Sequence, residues 1–349
     1  MSLDILDTLA RDGFESVLAL HDLRSGARGF LVLDDTCGCP AFGGIRRWTY
    51  LDEAQALRDC LRLARGMTLK CALADLPAGG AKFVLLDRPE LDLAAAYRFV
   101  GDVVERQGGR YYSGPDIGTT ERELIWVAER TRYVTQPGPD GPGELAAATC
   151  AGVVSGIEAA LVHVDGEADW ARRTVVVQGL GEVGTRVAST LRLRGARVLA
   201  AEIDTERGES VAREFDIELI DPARELERPC DVFAPCALGG IVHDLSLMRL
   251  RCRIIAGAAN NVLAHPGHGD RLHERGVVYV PDFAINSGAL IRGARFHLEG
   301  VREPLPAIGA RIAQTVTEIL RRSRELDQPP ARVAQEEAQR RVEHRRAQS

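Results

Sequence analysis

Short apolar runs alternate with amphipathic stretches throughout the first third of the chain. The β-branched apolar runs predict strands, and the stretches with apolar residues three or four positions apart predict helices. The expected strands are 16–21, 29–34 and 82–87, and the expected helices are about 52–65, 92–107 and 120–130. Strands that alternate with helices in this way predict an α/β protein rather than separate blocks of each element.

The alternation becomes more regular after residue 173. The strand TVVVQ is followed by a glycine-rich turn and a helix that ends at about Arg194, and a second helix is expected over 205–215. Further strands are expected in the segments RVLAAEI, CDVFAPC, RCRIIAGAA and VVYVPDF. Repeated units of strand, crossover helix and strand predict a parallel, doubly wound sheet.

A long helical region is expected after Pro281. Apolar residues recur every four positions in it, which predicts one apolar helix face. These residues are Ile308, Ile312, Val316 and Leu320. The tail from Pro329 is rich in Arg, Glu and Gln, which predicts either a solvated helix or a frayed end.

The length of the chain and one Gly/Pro-rich segment predict two domains. The 349 residues exceed a single domain of roughly 150 residues. The segment QPGPDGPGE at 136–144 interrupts the periodic patterns on both sides and is the expected linker. We therefore expect a first α/β domain over 1–135 and a Rossmann-type domain over 145–314, with helices at about 315–349 returning to the first domain.

Charge and cysteine content narrow the class of partner and the compartment. A net charge of −6 offers no electrostatic surface for nucleic acid or an anionic membrane, so a small-molecule partner is expected. The eight cysteines form no CxxC pair and have no histidines in zinc-ligand register, so we expect no metal site and a reducing, cytoplasmic location. The N-terminus lacks the basic region of a signal peptide, and no stretch approaches about 18 uninterrupted apolar residues, so no membrane span is expected.

Lysine is almost absent from this chain. Of 44 basic residues 42 are Arg, and the two lysines are Lys70 and Lys82. A solvated Lys is replaced by Arg at little cost, so the two that remain are candidates for chemistry that Arg cannot perform. Asp116 follows a probable strand among small residues, where a carboxylate can reach a cleft. Two ammonium groups and one carboxylate suit a zwitterionic substrate: one Lys to pair with a carboxylate, one to activate water, and the Asp to move protons.

The segment GLGEVG fits the glycine pattern of a dinucleotide-binding turn. Its residues Gly179, Gly181, Glu182, Val183 and Gly184 form the predicted cofactor loop. A strand precedes the loop and a helix follows it, so a tight turn, close approach to a pyrophosphate and binding at a helix N-terminus are expected. Glu202 ends the next strand, 21 residues after Gly181. Its carboxylate is expected to accept ribose hydroxyls and to repel a 2′-phosphate, which favours NAD, whereas Asp204 is expected to be solvated.

Several ordered segments resemble the Glu/Leu/Phe/Val dehydrogenase family of NAD(P)-dependent amino-acid dehydrogenases. The resemblance extends from about residue 14 to residue 300. The segments are PAFGGIRRW at 40–48, LRLARGMTLK at 61–70, PAGGAK at 77–82, SGPDIGTT at 113–120, VVVQGLGEVG at 175–184, CDVFAPCALGG at 230–240, IAGAANN at 255–261 and VYVPDFAINSGAL at 278–290. So many motifs in one order are far more specific than the glycine pattern alone.

The resemblance implies a reaction and a role for each matching residue. In the family, the Lys that matches Lys70 binds the substrate carboxylate, the Lys that matches Lys82 activates water, and the Asp that matches Asp116 transfers protons. The implied substrate-binding residues are Phe42, Gly43, Gly114, Asn261, Leu290 and Gly293, and the further cofactor-binding residues are Thr149, Ala237 and Asn260. The implied reaction is the NAD-dependent, reversible conversion of an L-amino acid to a 2-oxo acid and ammonia.

The resemblance also implies an arrangement of the two domains. Relatives bind substrate and oligomerise through the first domain and close a cleft between the two domains. A homo-oligomer, a dimer or larger, is therefore expected for this chain.

The resemblance also bears on which amino acid is used. Glutamate-acting relatives have a Lys where this chain has Phe42, and there is no third lysine, so an apolar substrate is expected. Gly114 and Leu290 resemble the pattern of phenylalanine- and tryptophan-acting members, and Gly293 enlarges the pocket further. We expect a large, aromatic substrate, with leucine or valine as the alternative.

Two departures from the family pattern leave a rival from another class open. Ala81 and Ala289 replace family glycines, and a positive φ at either position would strain the backbone. The rival is a weakened relative that binds NAD or an amino acid as a regulator, and the presence of Lys70, Lys82 and Asp116 together argues against it. The eight histidines are expected to be structural or solvated, unlike those of a hydroxy-acid dehydrogenase.

Overall fold

Two groups of mutually contacting residues make up the chain in the computed structural model, which describes residues 4–136, 140–237 and 239–348. Unit 1 comprises Met1–Gly143, Gly293–Arg302 and Ala338–Ser349, and unit 2 comprises Glu144–Arg292 and Glu303–Glu337. Residues 137–139 of the expected linker lie outside the described residues.

Unit 1 contains the first ten regular elements. They are α1 Ile5–Asp12, β1 Ser16–His21, β2 Arg28–Leu33, β3 Ala41–Phe42, β4 Ile45–Trp48, α2 Glu53–Leu73, β5 Gly79–Leu86, α3 Leu93–Glu105, β6 Tyr111–Tyr112 and α4 Glu121–Ala128. Asp52 and Asp92 begin α2 and α3 by accepting a hydrogen bond from the backbone three residues on, as an N-cap requires. The pattern missed α1 and the two- to four-residue strands β3, β4 and β6, which are too short to show a period.

Strand β5 is the centre of the unit 1 sheet, and all eight of its residues are buried. The strand order is β1-β2-β5-β3-β6, and β4 also pairs with β5. β5 runs antiparallel to β2 and parallel to β3 and β4. Lys82 lies midway along β5, opposite Val32 of β2, so one of the two lysines is built into the most buried strand of the unit.

Unit 2 is built largely from the elements that follow residue 144. They are α5 Leu145–Asp165, β7 Thr174–Gln178, α6 Glu182–Leu193, β8 Arg197–Ala201, α7 Thr205–Phe215, β9 Glu218–Leu219, β10 Cys230–Pro235, α8 Asp244–Arg249, β11 Cys252–Ile255, α9 Gly267–Glu274, β12 Val278–Tyr279, α10 Asp282–Ile285, α11 Gly288–Glu299, α12 Leu305–Leu326 and α13 Pro330–Gln348. Helices α11 and α13 contribute residues to both units.

The sheet of unit 2 is parallel throughout, in the order β12-β11-β10-β7-β8-β9. The chain moves outward from β7 through β8 to β9, and then returns to the other side of β7 with β10. This reversal is the topological switch point at which open α/β sheets bind ligands. The doubly wound parallel sheet predicted from the sequence is confirmed.

Helix α5 was not predicted because it is apolar on most of its surface and shows no helical period. It is the single helix among the described residues long and apolar enough to cross a bilayer, and 61% of its most apolar window is buried. Glycines allow its close packing: a Cβ at Gly152 would overlap Ile312 of α12, and a Cβ at Gly156 would lie 2.5 Å from Cγ1 of Ile285. Burial within unit 2 accounts for its composition.

The apolar face of α12 explains a difference from the expected domain assignment. Residues about 315–349 were expected to return to the first domain, but residues 303–337 belong to unit 2 and residues 338–349 to unit 1. Ile312 and Val316, both buried, lie next to the glycines of α5, so this face holds α12 in unit 2. The tail from Pro329 is helical as α13.

The crossing of β5 and α2 generates a stability prediction. A Cβ at Gly80 would overlap the backbone nitrogen of Thr68 and lie 2.6 Å from the carbonyl oxygen of Ala64, and neither backbone atom can move aside cheaply. We expect Gly80→Ala to lower the free energy of unfolding by about 1–3 kcal/mol. Urea denaturation measures the change.

A matched control lies on α2, the helix against which Gly80 packs. A Cβ at Gly66 of α2 would meet nothing within 4 Å. Gly66→Ala should raise the free energy of unfolding by about 0.5–1 kcal/mol, because Ala is the better helix former. Equal effects of the two substitutions would contradict the packing described.

Candidate active site

Lys82 and Asp116, the two residues expected to be catalytic, form a buried ion pair. Nζ of Lys82 lies 2.7 Å from Oδ2 of Asp116, and their side chains are 7% and 10% exposed. Arg46 joins them: its Nε lies 3.0 Å from the same carboxylate oxygen. Its Nη1 lies 3.1 Å from Oδ2 of Asp59, so one guanidinium bridges two carboxylates. The site is therefore a shielded cluster of alternating charge.

Glycines bring the Asp116 loop and β5 together. A Cβ at Gly44 would lie 2.9 Å from Cβ of Asp116 and would overlap the carbonyl oxygen of Pro115. A Cβ at Gly43 would overlap the carbonyl oxygen of Ala81, the residue before Lys82. The carbonyl of Gly43, which the resemblance placed at the substrate, accepts a hydrogen bond from the Tyr111 hydroxyl at 2.8 Å. The GG pair between β3 and β4 thus permits the approach of both residues that were predicted to be catalytic.

The charges around Asp116 fix its ionisation state. Burial by itself raises the pKa of Asp116, but the Lys82 ammonium and the Arg46 guanidinium together hold it well below its usual value of 3.8. For Asp59 burial likewise opposes ionisation, while hydrogen bonds from Arg62 and Tyr50 lower the pKa. Asp116 is therefore a carboxylate at neutral pH, adjacent to the ammonium group of Lys82 in β5.

Arg46 was missed by the sequence reasoning. It is buried, at 8% exposure, yet it is one of 42 arginines, so its residue type carried no signal. Its position two residues after the GG pair, in a segment that resembles the family, was the available clue.

Lys70 lies near the end of α2 and is partly buried. It follows Thr68 by two residues, just as Lys82 follows Gly80 by two. Because the backbone of Thr68 lies against Gly80, both lysines belong to the same crossing of helix and strand. The structure therefore brings the two lysines of the chain into one region of unit 1.

Small residues in unit 1 converge on Thr135, a buried residue that the sequence reasoning missed. A Cβ at Gly114 would lie 3.5 Å from Cβ of Thr135, and a Cβ at Gly293 would lie 3.2 Å from its Cγ2. Gly114 lies 21 positions before Thr135 in the sequence, and Gly293 lies 158 positions after it. Because their meeting depends on the tertiary fold, no local sequence pattern reveals it. Leu290 lies one turn before Gly293 on α11 and is grouped with unit 2.

Phe42 presents an aromatic surface in unit 1. Its ring stacks on Tyr112 with centroids 4.9 Å apart and an angle of 6°. The ring of His297 tilts against Phe42 at 6.3 Å. Of the two expected environments for a histidine, structural or solvated, His297 has the first: it is partly buried among aromatic rings.

The glycine loop of unit 2 fits a dinucleotide. Gly179 ends β7 with φ +86°, and a Cβ there would lie 2.7 Å from Cβ of Ala237. A Cβ at Gly184 would overlap the carbonyl oxygen of Gly179, so the helix lies directly on the turn. At Gly181, the N-cap of α6, a Cβ would meet no atom of the described residues within 4 Å. Open space in front of a helix N-terminus is what a pyrophosphate requires, and Glu182 and Val183 form the first turn behind it.

Glu202 is held in place beside this loop. Its Oε2 accepts a hydrogen bond from the backbone of Leu180 at 2.7 Å, and its Oε1 accepts from the backbone of Asp204 at 3.0 Å and from Arg207 at 2.9 Å. Burial opposes ionisation, but these donors lower the pKa of Glu202 to about 2. A carboxylate has about four acceptor positions, so one remains for a ribose hydroxyl. Asp204 caps α7, and Arg207 was not foreseen.

The remaining predicted residues lie in unit 2. Asn260 and Asn261 follow β11; the amide of Asn286 donates to Oδ1 of Asn260 at 2.8 Å, and Asn261 has φ +54°. Thr149 lies on α5, where its hydroxyl donates to the carbonyl of Leu145 at 3.2 Å. Because the carboxyl ends of parallel strands share one edge, the asparagines lie at the same edge of the sheet as the glycine loop.

The two alanines that replace family glycines are unstrained. Ala81 lies within β5 opposite Leu33, and Ala289 lies within α11. Among the described residues, the positive φ values at positions other than glycine fall at Asp75, Asp216, Asn261 and Asp327. Neither alanine distorts the backbone.

The chain is similar in sequence and structure to proteins of known activity. Residues 20–133 match the family described as Glu/Leu/Phe/Val dehydrogenase, dimerisation domain, and residues 201–294 match the family described as Glutamate/Leucine/Phenylalanine/Valine dehydrogenase. A leucine dehydrogenase from Thermoactinomyces intermedius is 37% identical over 293 residues, covering 83% of this chain and 80% of the relative. A valine dehydrogenase from Streptomyces albus is 36% identical over 362 residues, covering 99% and 97%. The crystal structure of L-tryptophan dehydrogenase from Nostoc punctiforme has a TM-score of 0.83 and 31% identity, covering 98% of this chain and 100% of that chain.

The ionisation of Asp116 generates a pH prediction. The pKa of Asp116 is lower in the folded than in the unfolded state, so the native state binds fewer protons. The stability that this carboxylate contributes is therefore present above about pH 4 and is lost as pH falls. Asp116→Asn leaves Lys82 and Arg46 without this partner and should destabilise the fold by about 3 kcal/mol at pH 7. The difference from wild type should shrink between about pH 5 and pH 3.

Denaturation at a series of pH values measures this difference. Glu90→Gln, which removes a carboxylate at an exposed position, is the control and should change the free energy of unfolding by at most about 0.5 kcal/mol at pH 7. A deficit for Asp116→Asn that stays constant down to about pH 3 would contradict the ionisation state assigned to Asp116.

Proposed function

This chain belongs to the Glu/Leu/Phe/Val dehydrogenase family and is an NAD(P)-dependent amino-acid dehydrogenase, and from that premise we propose its reaction and substrate. The proposed reaction is the NAD-dependent, reversible oxidative deamination of a large apolar L-amino acid, phenylalanine or tryptophan, to the 2-oxo acid and ammonia. The observation that carries the proposal is the shielded contact of 2.7 Å between Lys82 and Asp116, with Arg46 beside it.

Lys82 and Asp116 are the proposed catalytic residues. NAD, when bound, would accept the hydride that leaves the substrate Cα. Water then adds to the resulting iminium carbon, and neutral Lys82 takes the proton of that water. Protonated Lys82, 2.7 Å from Asp116, gives this proton by way of Asp116 to the departing amine nitrogen. Neutral Lys82 then takes the hydroxyl proton as the C–N bond breaks, the carbonyl forms and ammonia leaves.

The residue type at position 82 supports this role. An Arg there would satisfy Asp116 equally well in charge but would stay protonated, so it could not act as a base. Arg46 keeps Asp116 ionised and restricts its position through a second contact with Asp59.

Lys70 is the proposed partner of the substrate α-carboxylate. Its place at the α2–β5 crossing, two residues beyond the contact of Thr68 with Gly80, supports this role. Gly43 is a further proposed substrate-binding residue, and the hydrogen bond from the Tyr111 hydroxyl to its carbonyl fixes the backbone there.

The lining of unit 1 supports an apolar, aromatic substrate. Phe42 offers a ring where glutamate-acting relatives have a Lys, and Gly114 and Gly293 leave space next to Thr135. Each omitted methyl or larger group is worth about 1–3 kcal/mol of discrimination, so their joint effect favours a ring over a branched chain. Leucine or valine is the alternative, which the identity to leucine and valine dehydrogenases favours.

The regulatory alternative loses its main support. It depended on strain at Ala81 and Ala289, and neither residue has a positive φ. The buried charge cluster also has no purpose in a protein that only binds its ligand, because burying ionised groups is costly.

NAD is the proposed cofactor, held by the glycine loop, with Thr149, Ala237 and Asn260 as further contacts. Glu202 is fixed by Leu180 and Arg207 with one acceptor position left for a ribose hydroxyl, which supports NAD over NADP.

We propose a cytoplasmic homo-oligomer, a dimer or larger, without nucleic-acid or membrane partners. The match of residues 20–133 to a dimerisation domain supports the oligomer. The eight cysteines are all free thiols, which fits a reducing compartment.

A panel of substrates tests the proposal. We expect the wild-type protein to reduce NAD with L-Phe or L-Trp at a kcat/KM at least about tenfold above that with L-Val, with no detectable rate for L-Glu and a lower rate with NADP. Gly114→Ala should fold normally, because its Cβ meets Thr135 at an ordinary 3.5 Å, and should shift the preference toward L-Leu. Absorbance of the reduced nicotinamide reports each rate.

The panel separates the parts of the proposal. A preference for L-Val overturns the aromatic substrate, and a preference for NADP overturns the cofactor. Oxidation of none of the amino acids by a folded protein overturns the reaction itself.

A further inference from the structure

His297 lies in a cluster of aromatic rings in which the proposed function has so far given a role to Phe42 alone. The cluster comprises Phe42, Tyr112, Tyr133, Phe296 and His297. The imidazole centroid lies 4.9 Å from that of Tyr112 and 5.3 Å from that of Phe296. Rings would pack as well around a Leu or Phe at this position, so a polar ring needs another reason.

One polar atom of this imidazole is buried without a partner. Nε2 of His297 has no hydrogen-bond partner within the described part of the chain, and its accessible surface is close to zero. Burial lowers the pKa of His297 to about 4, so the ring is neutral at pH 7. A neutral imidazole has one nitrogen that donates and one that accepts. Buried polar atoms are rarely left unpaired in proteins.

The position of His297 connects it to the proposed side-chain pocket. Gly293 and His297 are four residues apart on α11 and share one helix face. Gly293 faces Thr135, as Gly114 does. The ring of His297 also contacts Phe42, the proposed substrate-binding residue. Gly114 and Gly293 therefore bring no side chain of their own to the surroundings of Thr135.

We infer that His297 is a specificity-determining residue that accepts a hydrogen bond from a donor on the substrate ring, the indole N–H of tryptophan or the phenol O–H of tyrosine. The inference rests on the proposed function and deepens it, because it selects ring-borne donors over phenylalanine and over branched chains. Phe42, fixed by its stacking on Tyr112, is the aromatic residue that adjoins such a ring in the proposed pocket. The hydrogen bond compensates the polar atom that is otherwise unpaired.

Ratios of kcat/KM test this role. The values for L-Trp, L-Tyr and L-Phe are measured for the wild type, His297→Leu and His297→Gln. We expect the Trp-to-Phe and Tyr-to-Phe ratios to fall about tenfold in His297→Leu, the loss of one hydrogen bond. The Gln variant keeps an acceptor and a donor and should restore at least part of both ratios, which a purely structural role would not produce.

A matched control uses another partly buried histidine. His163→Leu changes the same residue type within α5 of unit 2 and should leave both ratios unchanged. If His297→Leu does not fold, as judged by circular dichroism, His297→Phe fills the same space without a hydrogen bond and is expected to show the same loss.

Three results overturn the inference. The first is an unchanged pair of ratios in a folded His297→Leu or His297→Phe variant. The second is a wild type that oxidises leucine or valine but no aromatic amino acid, which leaves the amino-acid dehydrogenase reaction standing. The third is no oxidation of any amino acid, which overturns the proposed function as well.

Discussion

A buried contact between one ammonium group and one carboxylate constrains much of unit 1. Taking Lys82 and Asp116 out of water costs several kcal/mol per ion unless the geometry is close and further hydrogen bonds are made. Arg46 supplies those bonds to Asp116 and is itself balanced by Asp59. The cluster therefore requires four charged side chains at fixed places, and the backbone around it is arranged to hold them there.

Glycines are the means by which the backbone meets this requirement. Gly44 admits the Asp116 loop, Gly43 admits the carbonyl before Lys82, and Gly80 admits α2. Each is a position where a Cβ would collide with backbone or with the Asp116 side chain, so these glycines are explained by close approach rather than by turn geometry. In unit 2 the same device recurs at Gly184, which lies on the turn at Gly179, while Gly181 is open for a ligand.

Sequence reasoning succeeded where a residue type was rare or a pattern was regular. The rarity of lysine singled out Lys82, which lies in a buried ion pair with Asp116, while its catalytic role stays a prediction. The strand and helix repeat predicted the parallel sheet of unit 2. It failed where the signal was absent in principle. Arg46 was hidden among 42 arginines, and α5 was too uniformly apolar to show a period. The meeting of Gly114, Thr135 and Gly293 depends on tertiary contacts that no local window contains.

Oxidation rates of two Lys-to-Arg variants test the central claim, that the two lysines have different chemistry, most directly. Both substitutions keep the positive charge. If Lys82 is the base and Lys70 a partner for a carboxylate, kcat should fall by at least about 100-fold in Lys82→Arg, while Lys70→Arg should retain most of kcat and change mainly KM. A Lys82→Arg protein that folds and keeps a kcat within about tenfold of wild type would contradict the account.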